Sequence, residues 1–169
     1  MKAQKIALTA LLAASLVAGK EALGFIPNVE IITLCIAVYG AVFGMGISFA
    51  AVLIFCALEG FLYGFGYWLL LYITYWPFVA VVFSLIAKRS ERLVWFALAA
   101  VALTIFFGVW STALDTFFMT AKPTLRFFGI RYFNGAPFFI THIICNAIVF
   151  PTAFVPLRDA VKRISTKTK

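Results

Sequence analysis

His142 is the single histidine of the chain, and it stands four residues before Asn146 in the apolar run GAPFFITHIICNAIVF. At that spacing the two side chains share one face of a helix, and polar groups paired among apolar residues face a bundle interior rather than lipid. An imidazole so placed has three readings: a hydrogen-bonded core residue, a contact for a bound solute, or one arm of a metal site with Cys145. Two such ligands are too few for a metal centre on their own, so no metal or other cofactor is assigned. The second set of residues is aromatic. Trp68, Tyr72 and Tyr75, with Trp76, recur at helical spacing in EGFLYGFGYWLLLYITYWPF. Tyr67 and Trp68 alone would satisfy an interfacial belt. Tyr72 to Trp76 lie deeper, where a phenol needs a partner, and aromatic walls with a few convergent polar groups are how proteins hold ring-bearing organic solutes. Trp110, Arg131 and Asn134 complete the candidate substrate-binding set. Glu59 and Asp115 read either as solvated acids at helix ends or as rim groups beside Lys122, Arg126 and Arg131.

Catalytic patterns are missing. The chain has no His/Glu zinc pair, no Gly-x-Ser-x-Gly, no paired intramembrane aspartates and no Gly-rich Lys-Ser/Thr phosphate loop. No catalytic residue is assigned, and any ATP hydrolysis coupled to this chain is expected in partner subunits.

The elements that position these groups are membrane spans. With 64% hydrophobic and 12% charged residues and a mean hydropathy of +1.07, the chain has too little polar surface to cover a soluble globule. Continuous apolar runs, rather than alternating ten-residue segments, exclude a β-barrel. The net charge of +8 sits where membrane sidedness would put it, and no aromatic-interleaved basic groove points to nucleic acid. Cys35, Cys56 and Cys145 all fall inside apolar runs and read as free core thiols.

The fold class expected is an all-α polytopic membrane protein, a single domain over 1–169 with six transmembrane helices and both termini cytoplasmic. The helices are placed at 4–19, 29–43, 47–60, 66–87, 93–114 and 137–157. An outer loop occupies 116–136, and a cytoplasmic tail, interfacial and then disordered, occupies 158–169. Residues 1–20 have the look of a signal peptide but are read as a retained first helix. Asn28 is placed to cap the second helix, and Glu30 falls in its first turn, matching the helix dipole. Gly44-Met45-Gly46 interrupts the apolar stretch that follows. Sidedness decides between one helix and two there: only two helices put Lys88, Arg89 and Arg92 on the cytoplasmic side, and ten of the fourteen Lys and Arg then lie inside. Pro77 should kink the fourth helix below the aromatic cluster. Pro137 suits the first turn of the sixth. Ala10, Ala14 and Ala18 form a four-residue ladder on the first helix, suited to close helix packing in lipid. It serves either packing within the chain or docking of another membrane subunit.

PNVEIITLCIAVYGAVFG, EGFLYGFGYW and GAPFFITHIICNAIVF, together with the alanine ladder and an aromatic outer half, resemble the S component of an energy-coupling factor (ECF) vitamin transporter. The likeness covers nearly the whole chain. It implies a substrate-binding subunit of an ABC-type importer in a bacterial plasma membrane, without enzymatic activity of its own. The implied partners are a transmembrane coupling subunit, which would meet Ala10, Ala14 and Ala18, and two ATP-binding subunits. The substrate would sit near the outer side among the last three helices and the outer loops. Among vitamins, the ring-rich outer half, three loop cations and the lone histidine favour cobalamin or another corrinoid; pantothenate or another small vitamin is the alternative, and outside this family the chain reads as an integral-membrane enzyme or a scaffold protein.

Overall fold

Five helices carry the chain in a computed structural model that describes residues 2–26 and 29–167. They are α1 (Lys2–Leu23), α2 (Ile32–Tyr63), α3 (Trp68–Arg89), α4 (Leu93–Phe118) and α5 (Leu125–Lys167). No strand occurs among the described residues. All five helices are long and apolar enough to cross a membrane, the build of a polytopic membrane protein. Asn28, expected as a helix cap, and Lys169 lie outside the described residues.

The 32 residues of α2 would measure roughly 48 Å if straight, well beyond the ~30 Å hydrocarbon layer. They are not straight. Gly44 has φ 76° and ψ 177°, a conformation essentially closed to residues with a side chain. Both ends of α2 reach the same end of α1: Gly19 adjoins Ile31, Lys20 pairs with Glu59, and the Tyr63 hydroxyl donates to the Glu21 carboxylate. The chain therefore folds back at Gly44. The interruption expected over 44–46 is concentrated in that one residue.

Leu12, Ala13 and Leu16 are the residues α1 buries, against α2. α3 packs closely on α2 where Gly40 faces Ser84: a methyl group there would come within 2.9 Å of the Ser84 hydroxyl. Four fully buried rings, Phe83, Phe96, Phe150 and Phe154, tie α3, α4 and α5 together with centroid separations of 4.4 to 5.9 Å. The Lys88 to Arg92 turn is held to α5 by Lys162, whose Nζ is 3.0 Å from Glu91 Oε1.

Several element boundaries differ from the sequence expectation. α1 continues to Leu23, so Lys20 and Glu21 belong to the helix instead of following it. α3 keeps helical backbone through Pro77. The loop expected over 116–136 is mostly helical: α4 runs to Phe118, and α5 starts at Leu125. The reason is Thr124, whose hydroxyl accepts the Phe127 amide at 3.1 Å and starts α5 twelve residues before the expected 137. Pro137 is thus interior to α5, as are Pro151 and Pro156. Prolines are tolerated in such helices because neighbouring hydroxyls and helices satisfy the freed backbone groups. The tail from 158 is helical to Lys167, pinned through Arg158 and Lys162 to Glu91.

Candidate functional site

Three segments bring polar groups to one buried point. Glu30 arrives on the connection between α1 and α2, Thr104 on α4, and His142 and Asn146 on one face of α5. Thr104, His142 and Asn146 are at most 3% exposed. One carboxylate oxygen of Glu30 takes three donors: the Thr33 hydroxyl at 2.6 Å, His142 Nε2 at 2.9 Å and Asn146 Nδ2 at 3.2 Å. The other takes the Thr33 amide at 2.9 Å. That amide is one of the unpaired donors at the start of α2, so Glu30 also caps the helix, as a carboxylate at a positive helix end should. Glu30 precedes the span itself. Burial alone would raise its pKa, but the hydrogen bond and charge of His142 and the two bonds from Thr33 outweigh that and hold it below the ordinary glutamate value.

The amide of Asn146 is oriented by its neighbours. Its two N–H groups point to Glu30 Oε1 and, at 3.0 Å, to Thr104 Oγ1, which in turn donates to the Ala100 carbonyl. Reversing the amide would set its oxygen against the carboxylate. Among the described residues, Asn146 Oδ1 is buried with no hydrogen-bond partner. The four bonds to Glu30 match the four acceptor positions a carboxylate offers, so among the described residues Asn146 Oδ1 is the free acceptor of the cluster. The ring of Phe107 stands edge-on to His142 at 5.3 Å and to Tyr75 at 5.0 Å, closing one wall.

The remaining sequence candidates fall in other places. Trp68 and Tyr72 pack edge to face at 5.2 Å, and the series continues through Trp76 and Phe55. Lys20 adds its ammonium over Tyr63 at 4.1 Å and over Tyr72 at 5.6 Å, while pairing with the fully buried Glu59. Tyr75 meets Trp76 edge to face at 4.9 Å and Phe107 at 5.0 Å, so it stands between this series and the wall beside His142. It is 1% exposed, and its hydroxyl donates to the Leu103 carbonyl at 3.1 Å. Trp110 donates to the Thr74 hydroxyl at 2.8 Å and stacks on Phe106. Arg131 pairs with Asp115 at 2.6 Å, beside Tyr67, and Asn134 is exposed on α5. His142 and Asn146 are therefore brought together, Trp68 and Tyr72 form a second group, and Trp110, Arg131 and Asn134 join neither.

Sequence reasoning placed Glu30 only as a helix-dipole acid and passed over Thr104. A signal for Glu30 was present: an acid heading an apolar span needs a polar partner, and the lone histidine with Asn146 on an apolar helix is one candidate. Cys145 directs its thiol to the Glu30 carbonyl at 3.5 Å, and no group of three or more His, Cys, Asp or Glu side chains suited to a metal occurs among the described residues. Ala10, Ala14 and Ala18 are all exposed, on the opposite side of α1 from its buried Leu12, Ala13 and Leu16. Packing among the described residues does not use the ladder.

Scanned against models of known protein families, against curated proteins and against solved structures, the chain matches none.

Proposed function

We propose that this chain is the membrane-embedded solute-binding subunit of an uptake system, in the manner of an ECF S component. The observation that carries the reading is the buried cluster of Glu30, Thr104, His142 and Asn146, with one acceptor left open at Asn146 Oδ1. Polar groups gathered inside an apolar bundle are costly and mark function more often than packing. Glu30 reaches the cluster from a connection rather than from a helix, so moving that connection would open the site. In this reading the chain crosses the bilayer six times, with α2 counting as two crossings about Gly44, and both termini lie in the cytoplasm of a bacterial cell. The Glu59 and Asp115 end then faces outside, and the cations Lys88, Arg89 and Arg92 face inside.

In this reading the solute is a vitamin, and the acceptor at Asn146 Oδ1 supports one that brings an N–H or O–H donor. A corrinoid offers peripheral amides, and pantothenate an amide and hydroxyls. His142 Nε2 is engaged by Glu30, and a corrinoid's peripheral amides are the groups that match Asn146 Oδ1. The free Ala10, Ala14 and Ala18 face supports docking of a coupling subunit that carries ATPases.

The test is twofold. Mass spectrometry of small molecules leaving the purified protein, followed by titration with cyanocobalamin and with pantothenate, should identify a bound solute. Replacing Asn146 with Leu should weaken its binding by about tenfold, the equivalent of one hydrogen bond of roughly 1.4 kcal/mol. Ala14→Trp should leave solute binding intact and abolish uptake. A protein that carries and binds no solute, or an Asn146→Leu variant with full affinity, would overturn the assignment.

A further inference from the structure

The turn between α3 and α4 carries three cations, Lys88, Arg89 and Arg92, and one acid, Glu91. Glu91 is already engaged: its carboxylate accepts from Lys162 at 3.0 Å, and its backbone carbonyl from Arg158 at 3.1 Å. The bond and charge of Lys162 hold its pKa below the ordinary value, so it stays ionised and committed to α5. Among the described residues, no ion pair or hydrogen bond engages the side chain of Lys88, Arg89 or Arg92. The turn therefore presents uncompensated positive charge.

Beside that charge, between α3 and α4, lies a groove of about 500 Å³. Ile86, Trp95, Leu98, Ala99 and Ala102 make its apolar length, and Arg89 and Ser90 its polar end. Trp95 and Leu98 are 53% and 58% exposed, so none of the described residues covers the groove. Ser90 accepts the Arg92 amide at 3.2 Å, which leaves its own O–H free to donate. A cation and a hydroxyl donor at the mouth of an apolar trough fit an amphiphile with an anionic head and a hydrocarbon tail. A free phosphate would leave the trough unused, and an apolar partner helix would leave Arg89 without a counter-charge.

We propose that this groove binds an anionic phospholipid, its phosphate at Arg89 and Ser90 and an acyl chain along Trp95, Leu98, Ala99 and Ala102. The site is independent of the solute cluster and of which side of the membrane this end faces.

Native mass spectrometry of the full-length protein, released from nanodiscs of equimolar phosphatidylglycerol and phosphatidylcholine with identical chains, tests it. Phosphatidylglycerol should be retained over phosphatidylcholine by roughly fivefold, the factor one interfacial cation supplies. Arg89→Gln should erase that preference, and Ala102→Trp, which fills the trough from an exposed position, should reduce retention of both lipids. Arg126→Gln, on the exposed first turn of α5, is the control and should change nothing. Equal retention of the two lipids by the native protein, an equal loss from Arg89→Gln and Arg126→Gln, or an unaffected Ala102→Trp would each overturn the site.

Discussion

Replacing Glu30 with alanine should destabilise the protein by about 2–3 kcal/mol, most of it through the donors left behind. Four bonds end on this carboxylate, and the Thr33 hydroxyl, one of the donors, can rotate to another acceptor. The other three are fixed: the His142 Nε2–H, one N–H of Asn146 and the Thr33 amide, on residues no more than 3% exposed. A stranded buried donor costs about 1–3 kcal/mol in a water-soluble protein. Within membranes, side-chain bonds average nearer 0.6 kcal/mol, because the unfolded helices find other partners. Three donors between those limits, with Glu30 itself 15% exposed so that water reaches part of the gap, give the stated range. Glu30→Gln keeps one acceptor but turns an NH₂ toward a donor, and should cost about half as much. The sign of the pH dependence follows from the depressed pKa of Glu30. The carboxylate's contribution is complete above the ordinary glutamate pKa of about 4.3 and is lost as pH falls through the lower folded value. Reversible unfolding in mixed micelles, followed by tryptophan fluorescence, gives each ΔΔG. The double variant Glu30→Gln/His142→Ala should show a coupling of at least about 0.5 kcal/mol. A Glu30→Ala cost under about 0.5 kcal/mol, or strict additivity in the double variant, would refute the account of the cluster.

Two further substitutions probe the frame around it. Gly44→Ala should cost about 1–3 kcal/mol although nothing lies within 4 Å of the added methyl, because the penalty is conformational; a neutral thermal shift would mean that α2 does not need that backbone geometry. Lys20→Met should cost about 3–5 kcal/mol by stranding the buried Glu59 carboxylate, and Lys20→Met/Glu59→Gln should recover most of it. A double variant no more stable than Lys20→Met in the same unfolding assay would show that burial of the lone charge is not the cause.

What the sequence by itself determined is local. Hydropathy and continuous apolar runs establish helices of membrane-spanning length. The glycines at 44–46 mark where α2 must break, and a four-residue spacing puts His142 and Asn146 on one face. These follow from forces acting over a few residues, where backbone conformation and helical periodicity decide. The tertiary structure decided which faces meet. Glu30 and His142 are separated by 112 residues, and nothing near either one encodes that Thr104 will complete the set. Tyr72 and Tyr75 are three residues apart and equally aromatic, yet one lies under Lys20 while the other bonds the Leu103 carbonyl across to α4. The helical extension to Leu125 had a local signal in Thr124, obscured by the weight given to Pro137, whose lost bond a packed bundle absorbs. Partner choice among buried polar groups depends on where helices cross, and the crossings are settled by rings and small residues distributed over the whole chain.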